Sequence, residues 1–178
     1  MVYTQGYIGL PLDMQSHGLG PGPYGTAIGV NGFLIILMTI PISNMAAKWP
    51  RFETVAAAAL LIGLGFGATI LANSFAWFVL SVAIWTFGEI AGTSVSPTII
   101  ADLSPIELRG LYQGIFGAAW GLAYFLGPLV GGWVYQNLGS DVLWFGCLVI
   151  GIMLAFGFYA LRAPAKRQRT ESQSLSTD

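Results

Sequence analysis

The chain has 178 residues, a formal net charge of −1 at pH 7, 55% hydrophobic residues and only 8% charged residues. Soluble domains average about a quarter charged residues, because water must solvate their whole surface. This composition argues against a water-soluble monomer. We expect the chain to lie in a lipid bilayer and to bind no nucleic acid.

The basic residues occur in only three places, with long uncharged stretches between them. They are Lys48 with Arg51, Arg109, and the cluster at 162–169. About 20 consecutive apolar residues satisfy their own backbone hydrogen bonds as a helix across roughly 30 Å of hydrocarbon. The stretches therefore predict an all-α, polytopic transmembrane helix bundle.

The chain begins with an apolar, aromatic segment at 1–12 that is too short to cross a bilayer. We interpret it as the outer end of a truncated span, and a re-entrant or interfacial segment is the alternative. The sequence at 18–23 alternates Gly and Pro with one Leu, and these residues disfavour a helix. It predicts a loop on the external side of the membrane.

Five full spans are predicted, at 24–47, 54–72, 75–101, 110–136 and 142–161. All the basic sites then lie on one side, and the preference of Lys and Arg for cytoplasmic loops places that side, with the C-terminus, in the cytoplasm. We expect a multi-pass protein of the plasma or inner membrane. Its transmembrane domain covers 1–163, and a polar, Ser-rich, disordered cytoplasmic tail covers 164–178.

Glu89 lies near the middle of the third span, where a carboxylate costs about 2.5 to 3.5 kcal/mol on insertion scales. Helical spacing puts Thr86 and Thr93 on the same face, with Trp85 beside them. Either Glu89 binds a proton or a cationic group in a water-filled cavity, or it is a protonated structural bond between helices. We favour the first, since no Lys or Arg lies within any span and a carboxylate without a fixed counter-ion suits reversible protonation.

The fourth span is rich in glycine, and small residues at helical spacing let two helices approach closely. A proline inside the span removes one backbone hydrogen bond and predicts a kink or a break. The residues expected to pack or bend this helix are Gly114, Gly127, Pro128, Gly131 and Gly132.

Further polar and aromatic side chains lie on the other face of this span and inside the first one. Gln113, Trp120 and Tyr124 align on one helical face, and Asn31 is a buried amide in the first span. For each of them, helix packing and contact with a ligand remain open. The spans 54–72 and 142–161 have almost no polar side chains, which predicts lipid-facing support helices.

Four ordered sequence features resemble the C-terminal half of a major facilitator superfamily transporter, nearest to its drug/proton antiporter branch. They are PISNMAAKWPR at 41–51, the Gly-Glu pair at 88–89, ADLSPIELRG at 101–110 and GPLVGG at 127–132. The resemblance covers 3–162 and makes the five spans the family's eighth to twelfth helices. It implies a binding site near the membrane midplane between two six-helix halves, so a partner N-terminal half is missing from this chain.

The resemblance implies a secondary transporter that exports a small organic molecule in exchange for protons. Glu89 would load and release the proton, while the aromatic residues and neighbouring polar groups would contact the ligand. Asp102, Glu107 and Arg109 would help to set a cytoplasmic gate, although the charges of that loop can equally be solvated. The loop after the first span departs from the family pattern, since it lacks an acidic gating partner.

Two other function classes are alternatives to a transporter. One is a non-transporting membrane scaffold or truncated subunit that needs a partner half. The other is an intramembrane enzyme, which we do not expect, because one external histidine and one cysteine in an apolar span supply neither a nucleophile with its base nor a metal site. We therefore expect no enzyme activity, no cofactor and no metal.

Overall fold

A computed structural model describes the backbone of residues 1–175 and the side chains as far as Arg162. This part of the chain is helical and contains no strand. Its helices are α1 (Gly9–Ser16), α2 (Pro21–Ala46), α3 (Arg51–Ala68), α4 (Phe75–Leu103), α5 (Arg109–Leu138) and α6 (Ser140–Leu175), with short 3-10 turns at Tyr3–Gly6, Thr69–Leu71 and Ile106–Leu108. The all-α fold class is confirmed.

Five helical stretches in the described chain are long and apolar enough to cross a membrane. They are Pro21–Ala46, Arg51–Leu71, Phe75–Leu103, Ile106–Leu138 and Ser140–Arg162. Each coincides with one predicted span to within a few residues. Hydropathy therefore located these five candidate spans in the sequence, since a helix in hydrocarbon must be apolar along its length.

The N-terminal region differs from the prediction in two ways. Residues 1–12 do not form one helical end: a 3-10 turn at Tyr3–Gly6, which we call the N-terminal turn, is followed by α1, which continues to Ser16. The predicted loop at 18–23 is also too long, because α2 already begins at Pro21. Proline suits the first position of a helix, where a backbone N–H would lack a partner.

The last helix continues beyond the predicted span end at 161, with a described backbone to Leu175. The predicted disordered tail at 164–178 falls on residues whose side chains lie outside the described residues, and 176–178 lie outside them altogether. The disorder of that tail stays a prediction.

Helix α3 is the central helix of the described bundle, packed between α4 and α6. Half of its span is buried, compared with 11% for the spans of α2 and α5. A Cβ atom added to Gly65 would lie 2.5 Å from the backbone nitrogen of Trp85, and one added to Gly63 would lie 2.8 Å from the Cα atom of Gly151. The expectation that 54–72 is simply a lipid-facing support helix is therefore wrong, because its glycines let two helices approach it closely.

The glycines of α5 fall into two groups. Gly127 and Gly131 are the buried residues of this helix, and the side chains of Thr4 and Gln5 from the N-terminal turn fill the space beside them. Gly114 and Gly132, in contrast, have no atom of the described chain within 4 Å of an added Cβ. The helix is continuous through Pro128 and does not break there.

A buried aromatic core lies between α3, α4 and α6. The ring of Phe66 stacks on Trp85 at 5.3 Å and on Trp144 at 6.0 Å between centroids. Leu10 and Met14 of α1 join the same core. This core fixes the position of Trp85, which lies one turn from Glu89 on α4.

Candidate functional site

Glu89 is held by one hydrogen bond on each of its carboxylate oxygens. The Tyr3 hydroxyl donates to Oε1 at 2.6 Å, and the Asn31 amide donates to Oε2 at 2.9 Å. The same amide donates its second proton to Thr86 Oγ1 at 3.0 Å. Both donors to Glu89 are uncharged, and an ionised carboxylate, which can only accept hydrogen bonds, suits this arrangement.

An aromatic cluster surrounds the Tyr3 ring on the side of the carboxylate. Its ring makes edge-to-face contacts with Trp85 and Trp120, both at 5.9 Å between centroids, and with Tyr124 at 6.4 Å. This orientation brings the positive edge of one ring to the negative face of the next. Trp85 is buried, whereas Trp120 and Tyr124 are exposed, so the cluster presents an aromatic surface next to Glu89.

Three contacts between helices bring these groups together. Gly88 lets α4 approach α3, since an added Cβ would lie 2.6 Å from the carbonyl oxygen of Ala58. Asn31 links α2 to α4 through its two hydrogen bonds. Gln5 donates to the carbonyl oxygen of Gly127 at 2.9 Å, and this bond fixes the N-terminal turn against α5 so that Tyr3 reaches Glu89.

Six of the predicted site residues therefore lie in one cluster: Asn31, Trp85, Thr86, Glu89, Trp120 and Tyr124. Two others lie outside it. The exposed Thr93 donates at 2.8 Å to the backbone carbonyl of Glu89 on its own helix. Gln113 donates at 2.9 Å to the carbonyl of Pro97, two turns further along α4 from the carboxylate.

Tyr3 is the central residue that the sequence interpretation missed. The length of the segment 1–12 predicts only a truncated span and assigns no role to its side chains. A signal was present, because Tyr3 and Tyr7 are four residues apart and fall on one helical face. The two hydroxyl groups are 3.3 Å apart in the structure.

Two ion pairs connect helices at the end of the bundle that carries the basic residues. Arg51 of α3 pairs with Asp102 of α4, and Glu53 of α3 pairs with Arg162 of α6 at 3.2 Å. Of the predicted gate residues, Asp102 supplies an acidic partner for Arg51, which follows the loop after the first span, where the sequence predicted none. Asp102, Glu107 and Arg109 are all exposed. These pairs are more than a third exposed on at least one side, and such pairs are worth about 0 to 1 kcal/mol each.

A second polar cluster lies at the opposite end of the bundle. Asp13 is 2% exposed, and its Oδ2 accepts a hydrogen bond from the Trp144 indole at 2.8 Å. The Nδ1 atom of His17 lies 3.8 Å from the other carboxylate oxygen. Burial raises the pKa of Asp13, and the Trp144 hydrogen bond and the nearby histidine oppose this shift.

The chain is similar in sequence to a known family of membrane proteins. A model of the Major Facilitator Superfamily matches residues 3–177. The MFS-type transporter YttB of Bacillus subtilis is 26% identical over 99% of this chain and 46% of its own length. A Na(+), Li(+), K(+)/H(+) antiporter of Planococcus maritimus is 28% identical over 68% of this chain and 30% of its own length. The multidrug transporter protein MdtP of B. subtilis is 26% identical over 74% of this chain and 24% of its own length. The chain spans less than half of the length of each of these relatives.

Proposed function

This chain belongs to the Major Facilitator Superfamily, and from that membership we propose that it forms one half of a secondary transporter that exports a small organic molecule in exchange for protons. It is a multi-pass membrane protein with five candidate spans in its described residues. Transport in this fold needs two six-helix halves that enclose a site near the midplane. We propose that an N-terminal half is the partner, and that the complete protein lies in the plasma or inner membrane with its C-terminus in the cytoplasm.

The exposure of two helices supports a partner half. The spans of α2 and α5 are each only 11% buried, and α5 carries the exposed Trp120 and Tyr124 beside Glu89. A polar and aromatic face on the outside of a membrane bundle would be poorly matched to lipid tails. A second set of helices against this face would enclose the face in a cavity.

The observation that carries the proton-coupled function is the setting of Glu89. Its carboxylate lies midway along α4, is half-buried, and has two uncharged donors with exposed aromatic rings beside them. A proton on Oε1 competes with the Tyr3 hydroxyl for that oxygen, so loading a proton rearranges the contact with the aromatic cluster. Trp85, Trp120 and Tyr124 would then contact the exported molecule, so that proton binding and ligand binding affect the same side chains.

Two relatives support the finer part of this proposal by their names alone. One is named a cation/proton antiporter and another a multidrug transporter. That this chain exports a molecule in exchange for protons is our proposal and goes beyond what those names say. At the basic end of the bundle, we propose that the Arg51–Asp102 ion pair, with Glu107 and Arg109 nearby, contributes to the cytoplasmic gate.

The test is Glu89→Gln in a full-length transporter whose C-terminal half is this sequence. Glutamine keeps the shape and the hydrogen-bonding capacity of the side chain but cannot titrate. We expect ethidium transport driven by a pH gradient in proteoliposomes to be lost, while the protein level and ethidium binding persist. Asp141→Asn, which removes an exposed carboxylate far from the cluster, is the control and should retain transport.

The rival role for Glu89 is a permanently protonated bond between α2 and α4. The two hydrogen bonds of Asn31 to Thr86 and Glu89 are compatible with that role. In that case glutamine substitutes well, because a neutral amide also donates and accepts. Near-normal gradient dependence in Glu89→Gln would therefore reject the proton-carrier function.

A further inference from the structure

The hydrogen bonds that begin at Glu89 continue to the surface of the chain. Tyr3 donates to Glu89 Oε1 at 2.6 Å, and the Tyr3 and Tyr7 hydroxyl oxygens are 3.3 Å apart. Because the single hydroxyl proton of Tyr3 is directed at Glu89, the proton between the two phenols belongs to Tyr7. Tyr7 is 47% exposed, whereas Tyr3 and Glu89 are both partly buried.

Resting on the proton-carrier function proposed above, we propose that Tyr7 and Tyr3 form the path by which a proton from water reaches Glu89. A hydronium ion gives a proton to the Tyr7 oxygen, the original Tyr7 proton moves to the Tyr3 oxygen, and the original Tyr3 proton moves to Glu89 Oε1. The products are a neutral carboxyl, two neutral phenols and one water molecule. The same steps in reverse release the proton, so neither tyrosine changes its charge over a complete transfer.

The other neighbours of Glu89 cannot carry a proton in the same way. The amide of Asn31 uses both of its N–H groups, toward Thr86 and Glu89, and the Thr86 hydroxyl donates to the carbonyl of Val82 at 2.6 Å. The Trp85 indole only donates and has no acceptor among the atoms of the described chain. The remaining titratable group beside this cluster is Tyr124, an exposed phenol whose ring contacts the Tyr3 ring and whose side chain is also placed to hydrogen-bond Tyr3.

The two links in the path differ in strength. The Tyr3–Glu89 contact of 2.6 Å is short, whereas the 3.3 Å contact between Tyr3 and Tyr7 exceeds the usual 2.7 to 2.8 Å between hydroxyl oxygens. Transfer between the phenols is therefore the slow step. Tyr7 lies four residues closer than Tyr3 to α1, so the path leads toward the end of the bundle that carries Asp13 and His17.

The experiment follows protonation of Glu89 after a pH jump by infrared spectroscopy of the 178-residue chain in lipid nanodiscs. The carbonyl band that Glu89→Gln abolishes reports the neutral carboxyl. We expect Tyr7→Phe to slow the appearance of this band by about a hundredfold, the low end of what a positioned proton-transfer group contributes. Its final amplitude should stay unchanged, since Tyr7 does not contact Glu89. Tyr3→Phe should slow it at least as much.

Tyr24→Phe is the matched control, because Tyr24 donates its hydroxyl proton to the carbonyl of Gly6 at 3.2 Å in the same turn but does not contact Glu89. It should leave the rate unchanged. Equal rates in Tyr7→Phe, Tyr24→Phe and the parent chain would overturn the path while leaving Glu89 as the proton site. The absence of any titrating band that depends on Glu89 would instead overturn the proposed function itself, and the path with it.

Discussion

A carboxylate in the middle of an apolar helix persists only if its oxygens have partners. Burying a polar group without a hydrogen bond costs about 1 to 3 kcal/mol in proteins, and more when the group is charged. Tyr3 and Asn31 supply one donor to each oxygen of Glu89. Neither donor carries a charge, so neutral groups and not a Lys or Arg satisfy both oxygens of Glu89.

Asn31→Ala tests how much the Asn31 hydrogen bonds stabilise the contact between α2 and α4. The substitution leaves Glu89 Oε2 without its donor and removes a donor from Thr86, so the contact between α2 and α4 should weaken by about 1 to 3 kcal/mol. Thermal unfolding of the chain in detergent should show a lower midpoint. Asn44→Ala removes an exposed amide from the same helix and should stay within about 0.5 kcal/mol of the parent. Equal effects of the two variants would contradict the role of Asn31.

Asp13 predicts a dependence of stability on pH. Burial raises its pKa above the ordinary value of 3.8. The folded chain then binds this proton more tightly than the unfolded chain, so the stabilisation is fully present below pH 3.8 and is lost as the pH rises through the raised pKa. Asp13→Asn removes the titration and keeps an acceptor for Trp144. We expect the variant to lose less stability across this window than the parent.

The measurement for Asp13 is the unfolding midpoint as a function of pH. Glu107→Gln, which removes an exposed carboxyl, is the control and should follow the parent curve. Parallel curves for the parent and Asp13→Asn would show that the Asp13 carboxyl does not titrate differently in the folded chain.

At the scale of the helices, the spans could be predicted from sequence because hydropathy is a local property of each segment. The contacts between helices could not. Sequence spacing placed the tight packing on the glycines of α5, where Gly127 and Gly131 do pack against side chains of the N-terminal turn. It did not indicate that Gly63, Gly65 and Gly151 bring helix backbones close together around α3. A pattern of small residues shows that a helix can pack closely, but its partner depends on the whole arrangement.

The same reason explains which site residues were found. Glu89 and Asn31 stand out because a polar group in an apolar span is unusual on its own. Tyr3 stands out only through a contact with a residue 86 positions away, which no local pattern contains. Thr93 and Gln113 share a helical face with site residues, yet their side chains bond to backbone carbonyls instead.

Gly65→Ala tests the close packing of α3 against α4. A Cβ at this position would lie 2.5 Å from backbone and side-chain atoms of Trp85, so one of the helices must shift. Overpacking of this kind costs about 1 to 3 kcal/mol, and the unfolding midpoint of the chain in detergent should fall. Gly114→Ala meets no atom within 4 Å and should be neutral or stabilising, since alanine favours helix over glycine. An unchanged midpoint for Gly65→Ala would contradict the close approach of α3 and α4.

At the scale of the whole molecule, the basic residues with described side chains lie at one end of the bundle and the cluster of Asp13 and His17 at the other. They are Lys48, Arg51, Arg109 and Arg162. The preference of Lys and Arg for cytoplasmic loops sets the proposed orientation. Cys147 is a free cysteine, so labelling starts from a variant in which it is replaced. A single cysteine at Asn137 should react with an impermeant reagent added outside the cell, and one at Arg109 should not. External labelling at 109 would reverse the orientation.

The bundle leaves the aromatic surface beside Glu89 open along α5, and we propose that a second set of helices closes it. The measurement that tests this most directly is ethidium transport driven by a pH gradient in proteoliposomes, for the 178-residue chain alone and for the chain joined to a six-helix N-terminal half. We predict that the chain alone inserts but does not transport, and that the joined protein transports in proportion to the gradient. Robust gradient-driven transport by the chain alone would contradict the account.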